Sequence, residues 1–209
     1  MADHGPDLDR GSGGTIDGGQ RPRKPGARAS GPRKATARYL QNAALYYLQR
    51  YATSAANLRR VLMGKVDRSA RAHGTNAEEG ARLVDGLIER YREVGLLDDA
   101  VYAAGRTRSL NRRGDSPRLI RAKLARKGVT GEDVDRALAE LAEDVGDPTR
   151  VAAVALAKRR RLGPFRPPYA RAAFRNKDMA AMARAGFPYQ VAREVIDAES
   201  ADDLLTLSG

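Results

Sequence analysis

The chain has 209 residues, of which 38 are Lys or Arg and 26 are Asp or Glu, and its net charge is +12. It contains no cysteine, which excludes disulfides, cysteine-ligated zinc and thiol nucleophiles. It shows no secretory signal, and no apolar run approaches the roughly 20 residues that cross a bilayer, so we expect a cytoplasmic protein without membrane contact. The basic excess favours an anionic partner: nucleic acid, an acidic protein surface or lipid head groups.

The first 34 residues differ in composition from the rest of the chain. Residues 1–34 are rich in Gly, Pro, Ser, Arg and Asp and nearly lack apolar side chains, which predicts a disordered basic tail. From residue 35 onward, apolar residues recur at helical spacing. We predict three-helix units over residues 35–95, 96–146 and 147–200, followed by a C-terminal tail over 201–209.

The first unit contains three predicted helices. One apolar face is predicted for its first helix, formed by Leu40, Ala44, Leu48 and Tyr51. Ser54 is placed to cap the second helix, and the polar stretch Asp67–Asn76 predicts a loop after it. The apolar face of the third helix consists of Val84, Leu87, Ile88 and Tyr91. This helix is expected to end near Gly95.

The second unit carries clear signals for where its helices begin and end. A helix is predicted from about Asp98 to Arg113, with Gly114 closing it. Ser116-Pro117 predicts an N-cap followed by proline at the first helical position, and that helix is expected to stop at Gly128. Thr130 is expected to cap a third helix. Its predicted apolar face consists of Val134, Leu138, Leu141 and Val145.

The third unit opens at Asp147-Pro148, and a proline-rich loop at Pro164, Pro167 and Pro168 interrupts it. Helices are predicted near Asn176–Ala185 and from Pro188 to about Ala198. The stretch Leu124–Val129 parallels Met182–Phe187, so the units repeat with a period of about 45–50 residues, which is typical of helical arrays. No segment alternates polar and apolar residues, and the predicted fold class is therefore all-α.

The sequence offers little for catalysis. His4 and His73 are isolated, and no glycine loop is followed by a P-loop lysine, so we expect no metal site, no ATP site and no cofactor. The pair Asp98-Asp99 is interpreted as helix capping rather than as an acid–base pair. We therefore expect a protein that binds rather than an enzyme.

Charge is segregated along the chain. Residues 104–127 and residues 156–184 each carry a net charge of +8, whereas residues 132–147 carry −6. Such segregation can steer an anionic partner to one side of the molecule. We predict one basic binding surface, formed by Arg106, Arg108, Arg112, Arg113, Arg121, Arg126, Lys127, Lys158, Arg159, Arg160, Arg161, Arg175 and Lys177.

Several of these motifs together resemble a known family. The stretch Gly95–Asp99, followed by Tyr102-Ala103, Gly114 and Lys127-Gly128-Val129, resembles the signature of the RecX proteins, which regulate the RecA recombinase. Residues 184–196 resemble the C-terminal repeat of that family. The resemblance covers about residues 38–198.

The resemblance implies tandem three-helix repeats, helix-turn-helix-like in form, in an elongated and curved molecule. It also implies that the protein acts in recombination and DNA repair, including the SOS response, by binding the RecA nucleoprotein filament. DNA would be an auxiliary contact, and RecA would be modulated, usually by inhibition. A second hypothesis is an independent DNA-binding regulator, since three-helix units resemble the helix-turn-helix. The sequence shows no clear dimerisation element, so we expect a monomer.

Overall fold

The fold is entirely helical in the part of the chain that the structure describes. The computed structural model describes residues 31–206, and side chains as far as residue 204. The helices are α1 (Ala37–Leu48), α2 (Ala55–His73), α3 (Ala77–Glu93), α4 (Asp99–Arg112), α5 (Pro117–Ala125), α6 (Gly131–Val145), α7 (Pro148–Arg160), α8 (Pro168–Arg184), α9 (Tyr189–Ile196) and α10 (Ala201–Thr206). The predicted all-α class is confirmed. Most of the predicted tail, residues 1–30, lies outside the described residues.

Side-chain caps fix where most of these helices begin. Each cap accepts a hydrogen bond from an amide of the first turn, which would otherwise have no partner. The predicted caps Ser54, Asp98, Ser116 and Thr130 are confirmed, and Asp147 caps α7 in the same way. The second carboxylate of the predicted capping pair acts across helices: Oδ1 of Asp99 accepts from the amide of Ala55 at the start of α2, at 2.8 Å.

The predicted loop Asp67–Asn76 is wrong, because α2 continues to His73 and ends at Gly74, whose φ is +64°. Two buried residues hold the extra turns in place. Val66 packs against Gly80 of α3, where a Cβ would lie only 2.5 Å from the nearest methyl group of Val66. Ser69 is fully buried, and its hydroxyl accepts from the amide of Ala35 at 2.9 Å. The segment looks polar because only one narrow face of it is covered.

The third unit also differs from the prediction. A short 3₁₀ turn, Gly163–Phe165, occupies part of the proline-rich segment, and α8 begins at Pro168, eight residues earlier than the predicted Asn176. Proline is well suited to the first turn of a helix because its missing N–H has no intrahelical partner there. Residues 201–206, predicted to belong to a tail, form α10, and Leu204 is buried in the core of this unit.

The buried apolar side chains of the described residues form three core clusters. One lies among α1, α2 and α3 and extends to Leu97, one lies among α4, α5 and α6, and one lies among α7 to α10. Most predicted apolar positions are buried, including Leu40, Leu124 and Val134. Two predicted face positions are wrong: Tyr51 and Val145 are 56% and 39% exposed, because each lies at or beyond the end of its helix.

An equivalent contact joins the first unit to the second and the second unit to the third. The hydroxyl of Ser54 donates to the carbonyl of Lys127, and the hydroxyl of Ser116 donates to the carbonyl of Ala185 at 2.6 Å. In both cases the N-cap serine of one middle helix contacts the residue just before the glycine that ends the corresponding helix of the next unit. Gly128 and Gly186 have positive φ and lie against the preceding unit. The sequence repeat is therefore also a repeat of the contacts between units.

Candidate polyanion-binding surface

The ends of α4 and α7 bring two predicted basic stretches together. Gly114, just after α4, lies so close to α7 that a Cβ there would be 2.5 Å from the backbone nitrogen of Leu156. This approach allows the guanidinium of Arg159 to donate to the carbonyl of Arg113. The pair Arg112-Arg113 and the run Lys158–Arg161 therefore lie at the same junction between α4 and α7.

This cluster, the helix-end basic cluster, is available to a partner. Its members Arg112, Arg113, Lys158, Arg159, Arg160 and Arg161 are all exposed. Within the described side chains, none of the six forms an ion pair with an acidic residue. Unpaired cations at neighbouring helix ends create a local positive potential that can bind phosphates or carboxylates.

One member of the cluster has an unusual backbone conformation. Arg161 has φ +54° and is the only described residue other than glycine with positive φ. Elsewhere in the described residues, positive φ occurs at seven glycines: Gly74, Gly95, Gly114, Gly128, Gly146, Gly163 and Gly186. A side chain in the left-handed region costs roughly 1–2 kcal/mol. The chain thus carries a basic side chain where glycine would be less strained.

Three other residues of the predicted basic surface form ion pairs with acidic side chains of the same chain. Arg108 binds Asp144 of the acidic helix α6 at 2.9 Å, and Arg121 binds Asp135 of the same helix. Arg175 makes a two-bond pair with Asp197, with both N–O distances at 2.7 Å. This pair lowers the pKa of Asp197, through the hydrogen bonds from Arg175 first. The acidic helix α6 therefore neutralises part of the positive charge of residues 104–127.

Lys177 is exposed beside an aromatic ring. Its ammonium lies 5.1 Å from the centroid of Phe174, within the range of a cation–π contact. Among the described side chains it has no acidic partner within ion-pair distance. Lys177 therefore remains available to an anionic partner, unlike its neighbour Arg175.

Three other residues of the predicted basic surface line a pocket apart from the helix-end basic cluster. Arg106, Arg126 and Lys127 line a pocket of about 310 Å³ together with Tyr102 and Lys123. No member of the helix-end basic cluster lines this pocket. The ammonium of Lys127 also donates to Oδ1 of Asn57 in the first unit, at 3.2 Å. The predicted surface is thus divided between two places where basic side chains gather.

The pair formed by Arg50 and the ring of Tyr46 was not predicted from the sequence. The guanidinium of Arg50 lies 3.9 Å from the centroid of Tyr46 and bonds its hydroxyl. Tyr46 lies in the last turn of α1 and Arg50 just beyond its end, so the spacing of four residues was the available signal for this cation–π contact.

Comparison with known proteins places the chain in a family. The family profile described as "RecX, second three-helix domain" matches residues 98–138, which hold α4, α5 and the start of α6. The regulatory protein RecX of Myxococcus xanthus is 43% identical over 171 residues, which cover 81% of this chain and 90% of that protein. The chain belongs to the RecX family.

Other RecX proteins agree with this assignment. The regulatory protein RecX of Agrobacterium fabrum is 30% identical over 182 residues, 86% of this chain and 95% of the relative. The crystal structure of a regulatory protein RecX has a TM-score of 0.51 at 21% identity, covering 78% of this chain and 72% of that one, and it supports the fold. The resemblance to RecX regulators is confirmed. Over the described residues, no helix combines the length and hydropathy needed to span a bilayer.

Proposed function

We propose that this RecX-family protein binds the RecA–DNA filament, slows RecA strand exchange and so regulates recombination and repair. Family membership supports a regulatory role, and the helix-end basic cluster supplies a surface suited to a nucleoprotein. It presents six exposed basic residues without acidic partners among the described side chains. A filament of protein and DNA offers both phosphates and carboxylates to such a surface.

The proposed mode of action is binding without chemistry. Arginine forks fit phosphate and carboxylate oxygens equally well, so the surface can hold a filament without reading base sequence. The partner would be bound by a monomer, with DNA as an auxiliary contact. A protein seated across several RecA subunits would restrain the filament, and inhibition is therefore the expected sign of regulation.

The decisive test is a RecA strand-exchange assay with increasing amounts of purified protein. Inhibition at protein concentrations below that of RecA would support the proposal. The competing hypothesis of an independent DNA-binding regulator instead expects sequence-specific DNA binding without RecA and no effect on strand exchange. Electrophoretic shifts with RecA-free DNA of several sequences would separate the two.

The role of the cluster is tested by the double substitution Arg112→Glu and Arg113→Glu. If both side chains contact phosphates, filament binding should weaken, and the slope of log affinity against log salt should become shallower by about 1.4–1.8. Stability should change little, because exposed charges contribute roughly 0–1 kcal/mol. The matched control is Arg82→Glu with Arg90→Glu, two exposed positions on α3 outside the predicted surface. Equal binding by both double variants would contradict a role for the cluster.

A further inference from the structure

A wide groove lies between the first unit and the second. It is open to solvent, has a volume of about 990 Å³, and runs between the C-terminal end of α1 and one face of α4. Its lining includes Leu48 and Tyr51 from the first unit and Leu96, Val101 and Tyr102 from the connection and α4. The helix-end basic cluster contributes nothing to this lining.

The groove exposes large apolar side chains. Val101 is 69% exposed, Tyr51 is 56% exposed and Leu96 is 50% exposed. Single exposed apolar residues are common on protein surfaces, but several that converge on one concave site are typical of an interaction surface. None of the three belongs to a buried core cluster, so the fold itself gives no reason for their apolar character.

The charged groups in the groove are mainly basic. Arg106 and Lys127 line it from the second unit, and Arg50 lines it from the first. The lining holds one acidic residue, Asp98, whose carboxylate caps α4 by accepting from the amide of Val101 at 2.9 Å, so three cations share the groove with one anion. Arg106 is exposed and has no carboxylate partner among the described side chains. The groove therefore joins apolar contact area to a net positive charge.

The aromatic rings of the groove are partly covered by contacts within the protein. The rings of Tyr47 and Tyr51 contact each other at 5.0 Å with a tilt of 46°. The ring of Tyr102 is partly covered, and this burial raises the pKa of its hydroxyl, while the charge of Arg106 partly offsets the increase. Binding of single-stranded nucleic acid usually combines a basic groove with open aromatic faces on which successive bases stack, and the aliphatic side chains of Leu96 and Val101 cannot stack with bases.

We propose that this groove binds a short acidic segment of a partner protein. Apolar side chains of the segment would lie against Leu96, Val101 and Tyr51, and its carboxylates would face Arg106 and Lys127. Charge complementarity selects an acidic occupant, while the aliphatic lining selects a polypeptide over a nucleic acid. The proposal goes beyond the proposed function, because it requires neither RecA nor DNA and uses a surface distinct from the helix-end basic cluster.

The probe is a fluorescein-labelled peptide in which pairs of glutamates alternate with leucine and phenylalanine. Binding to the full chain is measured by fluorescence anisotropy. Two control peptides replace either the glutamates by glutamine or the apolar residues by serine. The variants are Leu96→Ser with Val101→Ser, and separately Arg106→Gln. Tyr169→Ser, at a position 89% exposed on α8, serves as the control variant.

The acidic peptide should bind the full chain, and both control peptides should bind about tenfold more weakly or worse, because a few anchoring groups carry most of the affinity of an interface. The groove variants should also bind the acidic peptide about tenfold more weakly, while Tyr169→Ser should bind it with the affinity of the parent protein. Circular dichroism melting confirms that each variant is folded.

Equal binding of the acidic and glutamine peptides, or unchanged binding by the double serine variant, would overturn the proposal. Oligothymidylate binding that depends on the same residues would overturn it in favour of nucleic acid. Self-association of the chain abolished by the double serine variant would overturn it in favour of a second copy. A RecA assay on the same variants keeps the two proposals separate: inhibition without peptide binding refutes only the groove.

Discussion

The close approach of α4 and α7 makes Gly114→Ala the most informative substitution in the chain. At φ +83°, an L side chain is strained by roughly 1–2 kcal/mol. The new Cβ would also lie 2.5 Å from the nitrogen and 2.8 Å from the Cα of Leu156, which are backbone atoms that cannot rotate away. Overpacking of this kind costs typically 1–3 kcal/mol more.

The matched control is Gly95→Ala. Gly95 also has positive φ, +71°, but its Cβ would meet nothing within 4 Å. Both alanines lower the entropy of the unfolded chain by a similar amount, worth roughly 0.4–1 kcal/mol, so this effect cancels in the comparison. Urea unfolding followed by circular dichroism should therefore show Gly114→Ala to be less stable than Gly95→Ala by about 1–3 kcal/mol.

The same substitution also tests the binding surface. Separating α7 from α4 moves Arg159 away from the carbonyl of Arg113 and spreads the helix-end basic cluster, so Gly114→Ala should weaken filament binding more than Gly95→Ala does. If the two variants lose the same stability, the contact between Gly114 and Leu156 does not constrain the unit junction. The junction would then not be what brings the basic residues of the cluster together.

Two further predictions concern side chains that join distant parts of the fold. Ser116→Ala removes both the cap of α5 and the hydrogen bond to the carbonyl of Ala185. It should lower the free energy of unfolding by about 1–2 kcal/mol in urea unfolding. A loss below a few tenths of a kcal/mol would contradict the role of this repeated contact between units. Asp178 is 2% exposed and binds Arg166 through two bonds of 2.7 Å, so Asp178→Asn should cost about 3 kcal/mol by leaving a largely covered cation unpaired. Burial raises the pKa of Asp178, but the bonds from Arg166 and the amide of Gly163 outweigh it and lower the pKa below 3.8. The carboxylate thus contributes stability above about pH 4 that is lost as the pH falls through the lowered pKa, and Asp178→Asn should flatten this acid limb of the stability profile; an unchanged limb would refute the assignment.

The sequence by itself determined the local boundaries of most helices. Ser54, Ser116 and Thr130 cap their helices because a short hydroxyl side chain reaches an amide within its own first turn. Gly114 and Gly128 end theirs because only glycine adopts positive φ without strain. These interactions span a few residues, so the pattern of residue types specifies them directly. The repeat and the family followed from the same local signals.

The positions where the prediction failed depend on distant residues. The last turns of α2 are polar on most sides, and only packing of Val66 against α3 and the bond of Ser69 to Ala35 hold them in a helix. The start of α8 was not predicted because three prolines in one segment indicate a loop. The third of them, Pro168, instead occupies the first helical position, where proline is tolerated.

The binding surface was decided by the tertiary structure. Arg108 and Arg113 look equivalent in the sequence, yet Arg108 is held by Asp144, thirty-six residues away, whereas the side chain of Arg113 is exposed and lacks an acidic partner among the described residues. Composition fixes how many cations the chain carries. Which of them remain available depends on which helices lie side by side, because an ion pair needs its two groups within about 4 Å, whatever their separation along the chain.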